Sequence, residues 1–444
     1  MVNIQISEHF NYGKLIRFTI PTIAMMIFTS VYGVVDGIFV SNFVGSDAFA
    51  AVNLIMPALM IMGSIGFMIG TGGSALVSKF LGEGKREKAN EVFSMLIAVV
   101  IIVGGALSII GFVAIRPIAQ LLGADERLIE YCVQYGRVLL VGNVPFMLQN
   151  TFQSFLVVAE RPQMGLKISI AAGVTNMVLD FVFVYLLRGG VMGAGAATVC
   201  SQLVGSLIPL SYFLKKNPSP LHLVKFAFDG RSLLKSCTNG SSEMLTNLSM
   251  SLVNMLYNFQ LMKFAGADGV SAYGIIMYVS FIFVGVYLGY SIGAAPIVSY
   301  HYGAGNHNEL KNLFKKSLVI MVVAAVLLTV AAELTAGILA GIFVGYNAEL
   351  LTMTTVAIQL YSISYLINGV NIFASAFFTA LNDGLVSAFI SFLRTLVFQV
   401  VMIFLLPAWL GLEGIWLAIV VAEGLAFIVS VCCFIKFGKK YHYI

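Results

Sequence analysis

Long apolar runs recur along the whole chain, and they limit what it can become. They fall near residues 15–41, 51–78, 92–115, 138–159, 164–187, 191–213, 236–262, 270–299, 312–333, 351–380, 385–406 and 411–435. About 20 apolar residues in a helix cross the hydrocarbon core of a bilayer. The segments between the runs are mostly short. Only 10% of the residues are charged and 59% are hydrophobic, whereas a soluble domain carries about 25% charged residues. A soluble protein this apolar could not cover its own surface. The pattern excludes a cytosolic enzyme, a secreted protein and a disordered regulator. It predicts an all-α polytopic membrane protein with twelve transmembrane helices.

Basic residues set the expected orientation. Nineteen Lys and Arg fall in one set of loops, five (Arg116, Arg127, Arg137, Arg188, Lys263) fall on the other side, and Arg394 lies within a span. This bias predicts both termini in the cytoplasm and an even number of spans in the cell membrane. The net charge is +5, spread over short loops, so no nucleic-acid partner is expected. The first residues are polar and lead into an apolar run too long for a signal h-region, so no cleavable signal is expected.

The chain repeats itself at an offset of 221 residues. Gly45, Asp47 and Ala51 match Gly266, Asp268 and Ala272, and SKFLGEG (Ser78 to Gly84) matches SYHYGAG (Ser299 to Gly305). Between positions 45 and 93 there are twelve identities in 49 ungapped positions. The offset returns where Gly190, Gly193, Ala197 and Val199 pair with Gly411, Gly414, Ala418 and Val420. Six spans per half is an even number, so two pseudo-symmetric six-helix lobes insert in parallel, as in parallel-repeat transporters. The expected organisation is a lobe at 1–217, a cytoplasmic linker at 218–230 around KKNPSPLH, and a lobe at 231–444. A cleft between two such lobes suits alternating access.

Several motifs point away from catalysis. GTGGSA (Gly70 to Ala75) and GAGAAT (Gly193 to Thr198) lie inside apolar spans with no strand before them, and no GxxxxGK[ST] loop exists. ATP on this chain is therefore not the expected energy source. Gly285, Gly289 and Gly293, and likewise Gly337, Gly341 and Gly345, recur every four residues and read as close helix-packing faces. The five cysteines show no CxxC or metal spacing, and the five histidines all lie near span ends or in loops. An intramembrane metalloenzyme would want a buried histidine.

Charge inside a bilayer is costly and usually functional. Asp36 in span 1, Asp180 in span 5 and Thr198 in span 6 all lie six or seven residues from the outer ends of their spans. At about 1.5 Å per residue they share one depth, roughly 10 Å below the outer surface. Asn176 is one turn from Asp180 on the same helix face. Two carboxylates in a poorly hydrated layer repel and are desolvated, which favours holding a proton between them near neutral pH. Deprotonated, the same layer offers oxygen ligands for Na+. The bland alternative is a satisfied hydrogen-bond cluster. Pro21 removes a backbone hydrogen bond from span 1 and is either a gating bend coupled to Asp36 or a static kink. In the second half, Glu243, Gln359 and Asn371, with Asn150 and Gln153 of span 4, are candidates to line a substrate or cation cavity. Glu423 aligns with Gln202, another cavity candidate, through the repeat. Arg394 either pairs with an acid or snorkels to the cytoplasm.

These features resemble one family. VDGIFVSNFVGSDAFAAVNLIMP, LGEGKREKAN repeated as YGAGNHNELK, and NMVLDFVFVY followed by GGVMGAGAATV are similar to the multidrug and toxic compound extrusion (MATE) transporters, in their DinF-like and NorM-like bacterial branches. The resemblance covers essentially the whole chain. It implies a monomeric antiporter that takes in H+ or Na+, exports amphipathic and often cationic organic compounds, and needs no cofactor. The DinF-like coupling site corresponds to Pro21, Asp36, Asn176, Asp180 and Thr198. Glu243 matches the span 7 acid of the NorM-like branch, whose span 10 aspartate has no acidic match here; Gln359 is the nearest polar residue. The main rival is a lipid-linked oligosaccharide flippase of the wider superfamily, which often has a strongly cationic cavity.

Overall fold

The structure, a computed structural model, describes residues 4–444, apart from the side-chain surroundings of Val34, Asp36, Gly37, Ile38, Ser41, Asn42 and Ser46. It is all-α. The first lobe holds α1 (Tyr12–Phe39), α2 (Ser46–Gly82), α3 (Arg86–Leu121), α4 (Ile129–Val141), α5 (Asn143–Val158), α6 (Pro162–Asp180) and α7 (Gly190–Leu214). The second holds α8 (Gly230–Gly303), α9 (His307–Val344), α10 (Ala348–Ser362), α11 (Tyr365–Ala380), α12 (Gly384–Phe392), α13 (Phe398–Leu405) and α14 (Pro407–Tyr441). Short π-helical turns follow α1 (Val40–Val44), α6 (Phe181–Leu186) and α12 (Leu393–Val397).

Among the described residues nine helical runs are long and apolar enough to cross a membrane, and the pair α10–α11, bent by 48°, makes a tenth. The run α8 is 74 residues long. At about 1.5 Å per residue it is more than three times a bilayer core, and it breaks at Gly266 (φ 60°, ψ −149°), so it forms two spans. The pair α4–α5, with a one-residue break at Gly142, completes twelve.

The internal repeat reappears in backbone dihedrals. Gly45 and Gly266, Gly84 and Gly305, and Gly190 and Gly411 all have positive φ, and each pair is 221 residues apart. A β-carbon is strained in that region. Three turns of each lobe therefore use a glycine at matching positions because both halves bend there in the same way.

Residues 215–229 form neither helix nor strand and lie along the start of α3. Asn90 Oδ1 accepts the His222 N–H at 2.7 Å, Ser94 Oγ accepts the Val224 N–H at 2.9 Å, and Lys88 pairs with Asp229 at 2.8 Å. The Lys88 ammonium holds the Asp229 carboxyl well below the usual carboxylate range.

The lobes meet at the end of the bundle that carries both termini. A β-carbon on Gly72 would stand 2.0 Å from Ser236 O, on Gly240 1.8 Å from Met68 O, on Gly303 2.2 Å from Lys79 O, and on Gly289 2.4 Å from Ile23 Cα. Backbones touch there, and glycine is required. This is the use of the GTGGSA run and of the stripe at Gly285, Gly289 and Gly293. The second stripe differs from expectation. A β-carbon on Gly341 would meet nothing within 4 Å, and one on Gly337 would meet Thr355 only at 4.0 Å. Those glycines face open space because α9 presents that face to no close neighbour. Toward the far end the lobes part. The last hydrogen bond between them among the described residues runs from Ser30 Oγ to Phe281 O at 3.2 Å. Beyond it each lobe has its own apolar core, around Ile55 and Tyr135 in the first and around Ile276 and Trp416 in the second.

Candidate functional site

The first-lobe layer is built on α6 and α7, with α1 packed against α6. Asn176 and Asp180 are buried one turn apart on the inner face of α6, with exposures of 2% and 0%. The Asn176 Oδ1 has no hydrogen-bond partner among the described residues. A buried amide oxygen without a donor is costly, and beside a carboxylate it forms an acceptor-rich spot. Asp180 is the last residue of α6, where the helix widens into its π-turn. Such widened turns occur often at functional sites. Thr198 is half-buried on α7 and spends its hydroxyl proton on Ala194 O at 3.1 Å, leaving its lone pairs available. The Asp36 side chain lies outside the described residues; its helix ends in the matching π-turn, three residues on. No Lys or Arg occurs in residues 18–78, 168–187 or 189–214, so spans 1, 5 and 6 bring no cation to this layer. Pro21 is buried, and α1 runs through it as one helix.

The other first-lobe candidates are more ordinary. Asn150 is half-buried and donates to Phe146 O of its own helix at 2.9 Å. Gln153 is half-buried on the same helix. Gln202 lies against the Gly142 break, with its Oε1 buried and unpartnered among the described residues.

The second lobe holds its charge differently. Arg394 Nε donates to both carboxylate oxygens of Glu423 at 2.9 and 3.0 Å, and an Nη donates to Asn368 Oδ1 at 2.6 Å. Of the two fates open to Arg394, the structure takes the ion pair, because Glu423 on α14 faces it across the lobe. Asn371 joins the same cluster. Its amide nitrogen donates to Glu423 O at 3.0 Å and Oε2 at 2.7 Å, and its Oδ1 accepts the Ser430 hydroxyl at 3.0 Å. Asn371 is completely buried with both amide groups used, so it braces α11 against α14. Glu243 is half-buried on the first half of α8, and no ion pair is formed by its carboxylate among the described residues. Gln359 is half-buried on α10.

Sequence reasoning missed the polar seam at the closed end. Asn239 donates to Asn382 Oδ1 at 2.7 Å, and Asn382 reaches Ala75 O of the other lobe at 3.4 Å. Asn382 has φ 59°, a conformation asparagine tolerates better than most residues. Ser375, Thr379, Ser387 and Ser391 share hydroxyl hydrogen bonds of 2.7–2.9 Å around it. The segment 4–11 also bridges the lobes. Ile6 N–H donates to Glu160 of the first lobe at 2.9 Å, while Phe10 N–H donates to Glu309 of the second at 2.9 Å. Asn382–Asp383–Gly384 was a legible turn signal, but nothing in the sequence tied it to Ala75.

Comparison with known proteins matches this geometry. The MatE family profile matches the chain twice, over residues 21–182 and 244–405. The chain belongs to the MatE family, a family of multi-pass membrane proteins. Among curated relatives, the multidrug export protein MepA of Staphylococcus saprophyticus is 23% identical over 413 residues, covering 93% of this chain and 91% of that one. Among solved structures, a MATE protein in complex with MaL6 superposes with a TM-score of 0.93 at 24% identity, covering 98% of both chains. A structure described as the outward-facing conformation of a multidrug resistance MATE family transporter gives 0.92 at 24% identity, again over 98% of both. The repeat, the twelve spans and the two lobes are those of this fold.

Proposed function

We propose that this protein is a cation-coupled antiporter that exports amphipathic, often cationic organic compounds across the cell membrane by alternating access. The lobe boundaries proposed for the rocking motion are 1–217 and 231–444. The observation that carries the reading is the Asn176–Asp180 face of α6: a buried carboxylate and a buried amide oxygen with no donor among the described residues, beside a π-turn, in a layer whose helices bring no Lys or Arg. H+ or Na+ is the coupling ion, and Asp36, Asp180, Asn176 and Thr198 hold it. Pro21 lets α1 bend when the occupancy changes. Relatives named as multidrug export proteins support the cargo class. Glu243, on the first half of α8, selects for positive charge in the cargo, with Asn150, Gln153, Gln202 and Gln359 as weaker contributors.

The basic loops and both termini lie at the closed end. Under the positive-inside rule that end is cytoplasmic, and the structure is the outward-facing state. A flippase reading is disfavoured because the deep cation, Arg394, is engaged by Glu423 and Asn368. A pyrophosphate would find no free guanidinium there.

The test is efflux of a cationic dye from proteoliposomes under a pH gradient alone and under a Na+ gradient alone. One gradient drives dye out in wild type. If neither does, the antiport reading fails.

A further inference from the structure

A cavity of about 520 Å³ opens at the closed end between the start of α1, the start of α6 and the end of α7. It lies far along α6 from Asp180, and of the residues assigned to the coupling site only Pro21 reaches its wall. Its lining carries Arg17, Arg161 and Lys167, and none of the three makes an ion pair among the described residues. Two hydrogen-bond donors on the same lining, Arg161 Nε and the Tyr212 hydroxyl, are buried with no partner among the described residues. Buried donors almost always find an acceptor, and leaving two without one in a single cavity is expensive. The acid on the wall does not supply it. Glu160 Oε1 is taken by the Ile6 N–H at 2.9 Å, and burial pushes its carboxyl up from the ordinary value, toward the neutral form. Glu8, the next acid, is held by Lys14. What remains is a positive cavity. Arg161 and Tyr212 are half-buried in it, Arg17 and Lys167 are exposed at its edge, and Phe18 and Met164 add apolar wall.

We infer that this cavity binds a phosphate-bearing anion, with Arg161 and Tyr212 donating to its oxygens and Arg17 and Lys167 neutralising its charge. A guanidinium and neighbouring cations are the groups that recognise phosphate best. The apolar wall and the position at the end of three spans favour the headgroup of an acidic phospholipid. A free phosphate offers the same oxygens, and the experiment separates the two sources.

The full-length protein in a neutral detergent is titrated with short-chain phosphatidylglycerol, with short-chain phosphatidylcholine and with inorganic phosphate, and binding is read by thermal shift and by native mass spectrometry. Phosphatidylglycerol gives saturable binding that R17Q/R161Q/K167Q weakens at least tenfold, while phosphatidylcholine gives none. If inorganic phosphate competes with the lipid, the phosphate group alone suffices; if it does not, the acyl chains are part of the recognition. Should the triple variant fail to fold, Arg161→Gln and Tyr212→Phe singly carry the test, each weakening binding several-fold. Equal binding of phosphatidylcholine, no saturable binding of either anion, or undiminished binding by the variants overturns the proposal.

Discussion

The two lobes are copies of one plan, yet they treat buried charge in opposite ways. At the 221-residue offset, Asp36, Asn176, Asp180 and Thr198 of the first lobe correspond to Tyr257, Val397, Val401 and Ile419 of the second. The second lobe carries no polar pair at those positions: Val401 is exposed where Asp180 is buried, and Tyr257 stacks on Tyr273 with ring centroids 4.8 Å apart. Its own acid, Glu423, stands where the first lobe has Gln202, and it is locked to Arg394. Both oxygens of that carboxylate are engaged, by the Arg394 guanidinium and, at Oε2, by the Asn371 amide. The Asp180 carboxylate shares its face of α6 with the Asn176 amide oxygen, which has no donor among the described residues. The difference teaches that the duplicated fold is a frame, and that each lobe has its own use for buried charge: the pair in the second braces helices, and the layer in the first is the one proposed to exchange a cation.

The comparison breaks first at Asp180. Asp180→Asn and Asp36→Asn should each reduce gradient-driven efflux by about tenfold or more, with the folded protein retained in the membrane. The double variant should be hardly worse than either single one, because one site cannot be lost twice. Additive losses in dye efflux would mean two separate sites.

Next comes the pair in the second lobe. Removing one partner of a buried ion pair leaves a bare charge and costs about 3–5 kcal/mol. Arg394→Met should therefore lower the melting temperature in detergent strongly. Arg394→Met with Glu423→Gln should recover most of it and keep efflux. A double variant as unstable as the single one would show that the cluster does more than brace α11, α12 and α14.

The closed end gives a sharper contrast between the two glycine stripes. Gly240→Ala puts a methyl 1.8 Å from Met68 O, whereas Gly341→Ala meets nothing within 4 Å. Disulfide formation between cysteines at Ala75 and Asn382 should fall several-fold with the first and stay unchanged with the second. Glu243→Gln should weaken efflux of cationic compounds by a few-fold more than efflux of neutral ones; equal loss would remove its role in charge selection.

The smallest effect belongs to the linker. Lys88→Gln frees the Asp229 carboxylate, and a partly exposed pair of this kind contributes about 0–1 kcal/mol. Because the folded carboxyl is held low, its contribution is fully present above the ordinary carboxylate range and is lost as the pH falls from there toward the lowered value of the folded state. Melting curves of wild type and variant should differ near neutrality and converge in acid.

Much of this was legible in the sequence, for physical reasons. Spans show as apolar runs because lipid demands them, and the repeat shows as glycines because three turns need positive φ. The buried face that Asp180 shares with Asn176 follows from helical geometry alone. Other features depend on how helices rotate against one another, which local sequence does not record. Arg394 and Glu423 are on different helices 29 residues apart, and only packing decides that they meet. The stripes at Gly285 and Gly337 have the same spacing, yet one meets a backbone and the other meets none. Asn371 reads as a polar residue free to line a cavity, and the fold places it against Glu423 and Ser430.

The central claim is that the cation exchanges in the first lobe while the second-lobe pair is structural. Proteoliposomes containing wild type, Asp180→Asn, or Arg394→Met with Glu423→Gln, loaded with a cationic dye and given the gradient that drives the wild type, test it directly. The account predicts that the second-lobe double variant expels dye at close to the wild-type rate, while Asp180→Asn stays at the leak rate. Dye expulsion by Asp180→Asn at the wild-type rate, with the second-lobe variant inactive though folded, would contradict it.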